Sequence, residues 1–333
     1  MEKLRIGIVG TNFVVDQFMN GIAMEGGCEV VSVCDVSETA LQKFQEKYHI
    51  PHAFHDYHEM AEAGGIDAVY LAIPNALHHD ASIYFLNKKL HVFCEKPMGA
   101  NPQEVEQMFA AAEKNGVYLH DGIAPLYVEN FVLMKKTLPQ LGRIRRAVFV
   151  QGRYSTRYDA YLRGENPTTF RVELCNGSLY DMGVYCVALA VGLFGMPEKV
   201  FAEGTVLPSG ADCIGTAVLT YADMEVVIMH SKVTDSMIES EIQGEQGNLF
   251  INLPSRVQEL WLQLRNGERT PLGVKTDEGF KYELRDFREN IQKGNRESTL
   301  VPHSISRAIA QVLYECRRQT GIHYPCDDNG GQA

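Results

Sequence analysis

Short apolar runs alternate with longer amphipathic stretches over the first third of the chain. Residues 5–9, 29–34, 66–73, 90–93 and 118–121 read as strands, and the stretches between them repeat apolar residues at helical spacing. Strands separated by helices predict a parallel, doubly wound sheet that binds ligands beyond the carboxyl ends of its strands. After about residue 123 the rhythm changes. Residues 127–138 read as a helix, and residues 145–154, 200–205, 213–221, 225–232, 238–243 and 248–252 follow as longer strands, the last two joined by a hairpin turn at 244–247. Adjacent strands of this kind predict a largely antiparallel sheet. Between its first two strands, residues 176–185 lead into an apolar helix ending near Gly195. The last helix, about 303–320, is expected to pack back on the first domain, with a frayed tail from about Asp327.

Composition narrows the partners. The 333 residues carry 31 Lys plus Arg against 42 Asp plus Glu, and a net charge of −11 disfavours nucleic acid and anionic membranes, which are held by basic patches. The apolar stretch at 184–194 is shorter than the roughly 20 residues of a membrane span. The N-terminus runs into the first strand without a signal-peptide core, so a soluble, cytoplasmic protein is expected. The 8 cysteines are scattered without Cys-x-x-Cys or zinc-type spacing, which predicts reduced core thiols and no metal.

The strand ends hold the candidate chemistry. Gly10-Thr11-Asn12-Phe13-Val14 follows the first strand and opens a helix, as in a dinucleotide site where amides at a helix N-terminus hold a pyrophosphate. Asn12 stands where the fingerprint has its second glycine, and positive φ at asparagine would let the turn survive. Asp35 ends the second strand, 25 residues after Gly10. An acid there accepts hydrogen bonds from ribose hydroxyls and repels a 2′-phosphate, favouring NAD(H) over NADP(H); a turn residue opening the next helix is the other reading. Pro74-Asn75, with Asn75 as a helix cap, and His78 lie beyond the strand at 66–73, and His78 either lines the cofactor crevice or faces solvent. Glu95-Lys96-Pro97 closes the run at 90–93, which places Lys96 at the crevice. Cys94 beside it is read as a core thiol rather than a nucleophile. Asp181 and Tyr185, four apart on the apolar helix, share one face, either as a reacting pair or as a buried tyrosine satisfied by the carboxylate. Residues 153–159 form an arginine- and tyrosine-rich loop, with Arg157 and Tyr158 as substrate contacts or as part of a subunit contact.

Together, Gly10-Thr11-Asn12, Asp35, Pro74-Asn75-Ala76-Leu77-His78, Glu95-Lys96-Pro97, Asp181-x-x-x-Tyr185 and the Gly244-to-Gly247 hairpin resemble the Gfo/Idh/MocA oxidoreductase family over nearly the whole chain. Tyr185, where many sugar and inositol dehydrogenases of the family carry His, resembles the branch that includes dihydrodiol dehydrogenase, glucose-fructose oxidoreductase and xylose dehydrogenases. Asn12 and Val15 replace small residues of the fingerprint, and Asp121 stands where many relatives have Glu.

The resemblance implies an α/β protein: a Rossmann dinucleotide-binding domain over residues 1–122, then an α+β domain over 123–333 with a large, mainly antiparallel, open-faced sheet. It implies a carbohydrate-like substrate bound between them. Gly10, Thr11, Asn12, Phe13, Val14, Asp35, Pro74, Asn75, His78, Glu95 and Lys96 would bind the cofactor, and Arg157, Tyr158 and Asp121 would contact substrate. Lys96, Asp181 and Tyr185 would be catalytic, with Tyr185 as acid/base, Lys96 lowering a phenol pKa ordinarily near about 10, and Asp181 orienting Lys96 or the substrate hydroxyl. The implied activity is hydride transfer between nicotinamide and a secondary alcohol or carbonyl of a sugar, polyol or related diol. An NAD-assisted glycosidase and a non-catalytic dinucleotide sensor are the other readings. The open sheet would bury its free face in a homodimer or homotetramer.

Overall fold

The computed structural model describes residues 3–273, 275 and 279–331, with side chains to residue 328. The chain divides into two compact units. The first takes the chain up to Gly99, Gln103–Gly122 and the segment ending at His303; the second takes Ala100–Pro102, the segment from Ile123 up to that return, and the chain from Ser304.

In the first unit, β1 (Leu4–Val9), α1 (Phe13–Glu25), β2 (Cys28–Cys34), α2 (Glu38–Tyr48), β3 (His52–Phe54), α3 (Tyr57–Ala63), β4 (Ala68–Leu71), α4 (His78–Asn87), β5 (His91–Glu95), α5 (Pro102–Asn115) and β6 (Leu119–Gly122) alternate. The sheet order is β3-β2-β1-β4-β5-β6, parallel throughout, with β1 and β4 adjacent where the order reverses. Ligands of such sheets bind at that reversal, beyond the strand ends. Helix starts follow sequence chemistry: Asn12, Ser37 and Asp56 cap α1, α2 and α3 with side-chain acceptors. Asn75 instead begins a 3₁₀ turn, Asn75–Leu77, and α4 has no side-chain cap.

The second unit holds α6 (Glu129–Thr137), β7 (Ile144–Gly152), α7 (Thr156–Leu162), α8 (Val184–Phe194), β8 (Lys199–Val206), β9 (Asp212–Thr220), β10 (Glu225–Ser231), β11 (Ser240–Gly244), β12 (Gly247–Ile251), β13 (Leu260–Leu264) and β14 (Thr270–Leu272). Its sheet runs β14-β13-β12-β11-β7-β10-β9-β8. Neighbours are antiparallel except β7 and β10, which pair in parallel at the centre. Period-two alternation sends Ala217, Ile228, Phe149, Ile242 and Leu249 inward, all buried. The apolar run Val172–Phe194 has the length and hydropathy of a membrane span, longer than its last stretch alone suggested. It is nonetheless mostly buried in this unit, broken into 3₁₀, π and α pieces.

Two further helices, α9 (Gly279–Lys293) and α10 (His303–Gln319), complete the chain. The helix that returns to the first unit is α9, not the last helix. Its Phe280 and Leu284 meet α1 at Gly21, and its Phe287 packs on Phe93 and Tyr118. Helix α10 belongs to the second unit, where the Gln319 amide bonds the backbone of Val200 and Ala202 on β8. Nor does the tail fray at Asp327. Arg317, 1% exposed, holds that carboxylate by two hydrogen bonds, NH2 to Oδ1 at 2.7 Å and NH1 to Oδ2.

Candidate active site

The turn after β1 is built for close approach. Gly10 has φ +92°, and a Cβ there would lie 2.3 Å from the carbonyl oxygen of Ala72, so only glycine fits. Asn12 does not take positive φ. It is extended at φ −71° and caps α1, its Oδ1 accepting from the Val14 amide at 3.0 Å and its Nδ2 donating to Ala72 O at 2.7 Å. Capping, rather than backbone freedom, is why asparagine serves here. Thr11 donates to Asp35 Oδ2 through its amide (2.8 Å) and hydroxyl (2.6 Å), while Asp35 Oδ1 accepts from the Ser37 amide at 2.9 Å. Asp35 therefore leads the chain into α2, where Ser37 is the cap, and lies beside the glycine turn. A dinucleotide fits this cradle, where a side chain at position 10 would close the space and α1 turns its N-terminus toward the turn.

Two loops meet beyond β4 and β5. His78 is fully buried, its Nδ1 2.8 Å from Pro97 O and its Nε2 3.0 Å from Ile73 O. It faces neither solvent nor an open crevice; it braces one loop against the other, and burial lowers its pKa. The Lys96–Pro97 peptide is cis. Glu95 accepts from the Tyr70 hydroxyl at 2.7 Å and from the Lys96 amide at 3.3 Å. Burial pushes its carboxyl up to about 7, against the opposing pull of Tyr70 and Lys96. Asp121, buried at the end of β6, adds repulsion. Glu283 of α9 is 0% exposed, and among the described residues neither of its carboxyl oxygens has a hydrogen-bond partner. Burial, then the charges of Glu95, Asp121 and Asp286, raise Glu283 well above the carboxylate range. The Cys94 thiol is buried and pushed far up by desolvation, so it is a core group.

In the second unit the segment before α8 is a π-helical turn, Leu179–Gly183, rather than a continuous α-helix. Asp181, Met182 and Tyr185 are its half-exposed positions, while Leu179, Tyr180, Gly183, Val184 and Cys186 are buried. The sheet grips this turn. Asp212 of β9 accepts from the Leu179 amide at 2.7 Å, and a Cβ on Gly177 would come within 2.1 Å of its other oxygen. Burial drives Asp212 up to about 6. His230 of β10, held neutral by burial at a pKa of about 3, shares a hydrogen bond with the Ser178 hydroxyl at 2.9 Å. Lys232, just past β10, donates its Nζ to Asp181 Oδ2. Sequence reasoning aimed Asp181 at Lys96 or at substrate and passed over Lys232, because nothing local marks a partner 51 residues away. The loop expected at 153–159 is largely helical: Ser155 caps α7, Arg157 bonds the hydroxyls of Thr168 (3.3 Å) and Thr169 (3.1 Å), and Tyr158 stacks with Tyr161.

A parallel sheet of this order with a glycine-only turn feeding a capped helix is the frame of an NAD(P)-dependent oxidoreductase. Residues 4–123 match the profile described as an oxidoreductase family with an NAD-binding Rossmann fold, and residues 135–250 match the GFO/IDH/MocA C-terminal domain. The chain is 38% identical to scyllo-inositol 2-dehydrogenase (NADP(+)) IolU of Bacillus subtilis, over 97% of this chain and 99% of that protein. It is 28% identical to trans-1,2-dihydrobenzene-1,2-diol dehydrogenase of Danio rerio, over 90% and 91%. Among solved structures, the 3-ketoreductase KijD10 of Actinomadura kijaniata with NADP and TDP-benzene shares the fold at TM-score 0.85 and 18% identity, over 97% of this chain and 99% of that one. The chain belongs to the Gfo/Idh/MocA oxidoreductase family. It is an NAD(P)-dependent enzyme that transfers hydride to or from the CH–OH groups of polyol- or diol-type substrates.

Proposed function

We propose that the protein oxidises one secondary hydroxyl of a cyclic polyol of the inositol type, or reduces the matching ketone, with Tyr185 as acid/base, Lys96 as the cation for developing alkoxide charge, and Asp181 as the group that orients the reacting hydroxyl. The observation carrying this reading is that Asp181 and Tyr185 are the half-exposed polar pair of a mostly buried apolar π/α run. A core tyrosine satisfied by its neighbour would be buried with it, as Tyr180 is, its hydroxyl 2.8 Å from Ala100 O. The substrate class is supported by the inositol dehydrogenase that shares 38% of the sequence.

Gly10 to Val14, Asp35, Pro74 and Asn75 would hold the dinucleotide, whose nicotinamide supplies the hydride acceptor or donor. In the oxidative direction Tyr185 takes the hydroxyl proton as the carbon–hydrogen bond breaks, and Lys96 stabilises the oxygen as its charge grows. In the reductive direction the phenol returns that proton. Arg157, Tyr158 and Asp121 are proposed substrate contacts; Arg157 is already steadied by Thr168 and Thr169. Asp35 favours NAD(H), since a 2′-phosphate would meet a carboxylate, in contrast to the NADP(+) named for the Bacillus relative. The cysteines are all free, which suits a reducing compartment such as the cytoplasm.

The outer face of the eight-stranded sheet carries Phe201, Val218, Val227, Val148, Glu241, Phe250 and Trp261 in one row across paired strands, apolar except at Glu241, with Phe201 59% exposed. A second copy of the chain covering this face makes the protein a homodimer or a dimer of dimers. Sedimentation should give an oligomer, and Val227→Glu should shift it toward monomer; a monomeric wild-type protein would refute the reading.

The activity test follows nicotinamide absorbance with inositols, open-chain polyols, aldoses and trans-diols, with NAD and NADP run separately. Tyr185→Phe should lower turnover by at least roughly 100-fold, in the range of a lost general acid/base, and leave NAD(P)H binding, read by nicotinamide fluorescence, nearly intact. Full turnover in the variant would sink the assignment.

A further inference from the structure

Ser178, Leu179 and Tyr180, which precede Asp181, are fixed by hydrogen bonds, while Asp181 itself is fixed by a charge. Lys232 is 4% exposed, and its ammonium lies on Asp181 Oδ2, the oxygen of a side chain that remains 36% exposed. One partner of this pair is therefore anchored in the protein and the other reaches toward solvent. Such an arrangement is poor as a core ion pair, because the exposed partner is screened, and suited to aiming a carboxylate. The titratable groups around the turn are Asp181 and Tyr180 on it, Asp212 on β9, His230 on β10, Lys232 beyond it, and Arg317, which approaches the Tyr180 hydroxyl at 3.4 Å. His230 is neutral, and Lys232 is a cation that pairs with Asp181 from the sheet side.

Resting on the reaction proposed for Tyr185, we infer that Lys232 is a positioning residue of the active site: it holds the Asp181 carboxylate in place and cancels the charge that would otherwise oppose ionisation of Tyr185. Asp181 in the π turn and Tyr185 at the start of α8 are four positions apart, about one helical turn, and both are half-exposed. A bare carboxylate at that range disfavours a phenolate, whereas a carboxylate paired with an ammonium is close to electrically neutral at the phenol. The ion pair thus serves Tyr185 without touching the reacting atoms.

The test compares Lys232→Met, Lys232→Arg and Asp181→Asn/Lys232→Met with the wild-type and Asp181→Asn enzymes. Lys232→Met should lower kcat for alcohol oxidation roughly 10-fold at pH 7, the effect of a one-unit rise in the phenol midpoint, with KM for the nicotinamide cofactor unchanged. The rise of rate with pH should move up by about one unit, so the deficit shrinks in alkali. Lys232→Arg, which keeps the charge, should restore the profile, and in the Asp181→Asn background Lys232→Met should add almost nothing. An unchanged kcat, a pH-independent loss, or an equal loss in the Asp181→Asn background would overturn the role of Lys232 while leaving Tyr185 as acid/base. If the wild-type enzyme turns over none of the substrates, the reading of the reaction fails. The ultraviolet tyrosinate titration, taken as the difference between proteins with and without Tyr185→Phe, then decides the electrostatic role alone: an upward shift in Lys232→Met is expected, and no shift refutes it.

Discussion

Asp35 shows how one side chain can be constrained twice. Its carboxylate is held by the Thr11 amide and hydroxyl on one oxygen and by the Ser37 amide on the other, which fixes it beside the glycine turn, and the proposed preference for NAD(H) rests on that position. Replacing it with serine removes the charge and keeps a hydroxyl able to bond the turn. Asp35→Ser should therefore raise kcat/KM with NADP relative to NAD by roughly 10-fold or more, as expected when a desolvated like-charge contact of a few kcal/mol is relieved; an unchanged ratio would show that the choice is made elsewhere. The acid was legible in the sequence because it ends a strand at a telling distance from Gly10. The role of Asn12 was not, because an asparagine after a strand fits a positive-φ turn and an N-cap equally well, and only the carbonyl of Ala72 decides between them. Lys232 was illegible for a different reason: its meaning lies in a partner brought close by the docking of the π turn on β9 and β10.

Elements were readable where their amphipathic pattern was strong, yet the pattern gave no address. Helices α9 and α10 each bury one face, Leu284 and Phe287 in the first, Ile309, Val312 and Leu313 in the second. A buried stripe reports that something covers it, not which unit does so: the last helix, expected on the first unit, belongs to the second, and α9, where no helix was expected, belongs to the first. The tail that follows α10 was read as loose because it is polar, but its Asp327 neutralises a buried guanidinium. Arg317 also lies over the Tyr324 ring at 4.2 Å and donates to Ile322 O at 3.2 Å, while Tyr180 bonds Ala100 O, so the tail, α10 and the π turn form one connected patch of the second unit. Asp327→Ala strands that charge and should cost about 3–5 kcal/mol in denaturant unfolding, the range for breaking a buried pair. Arg317→Met combined with Asp327→Ala should cost much less than the sum of the single changes. Additive losses would show that the pair is screened and the tail merely rests there.

At the scale of the molecule, the strand ends and the change from parallel to antiparallel sheet were visible in the rhythm of the chain, while the balance of buried charge was not, since it depends on which carboxyl groups share a low-dielectric space. That balance has a consequence for pH. Glu95, Asp212 and Glu283 are raised by burial, so between their unfolded values and their folded ones the native state binds more protons and stability falls as pH rises. His78, His120 and His230 are lowered by burial, so below about pH 6.5, their unfolded value, the unfolded state binds more protons and stability rises with pH. The two sets oppose each other in mildly acidic solution. As pH rises through 6 and 7 the histidines become neutral in both states, and Asp212 and Glu95 pass their folded values of about 6 and about 7 and lose the protons they held in excess of the unfolded chain, while Glu283, raised well above the carboxylate range, holds its excess proton over the same interval. One proton of difference gives a slope of about −1.4 kcal/mol per pH unit. Between about pH 5 and 7, where the unfolded Glu283 carboxyl is ionised and the folded one is not, urea unfolding should show stability falling more steeply with pH in the wild-type protein than in Glu283→Gln, which cannot ionise, by an amount of that order. Equal slopes in the two proteins would mean that the Glu283 carboxyl finds a partner or water in solution and ionises in the ordinary carboxylate range.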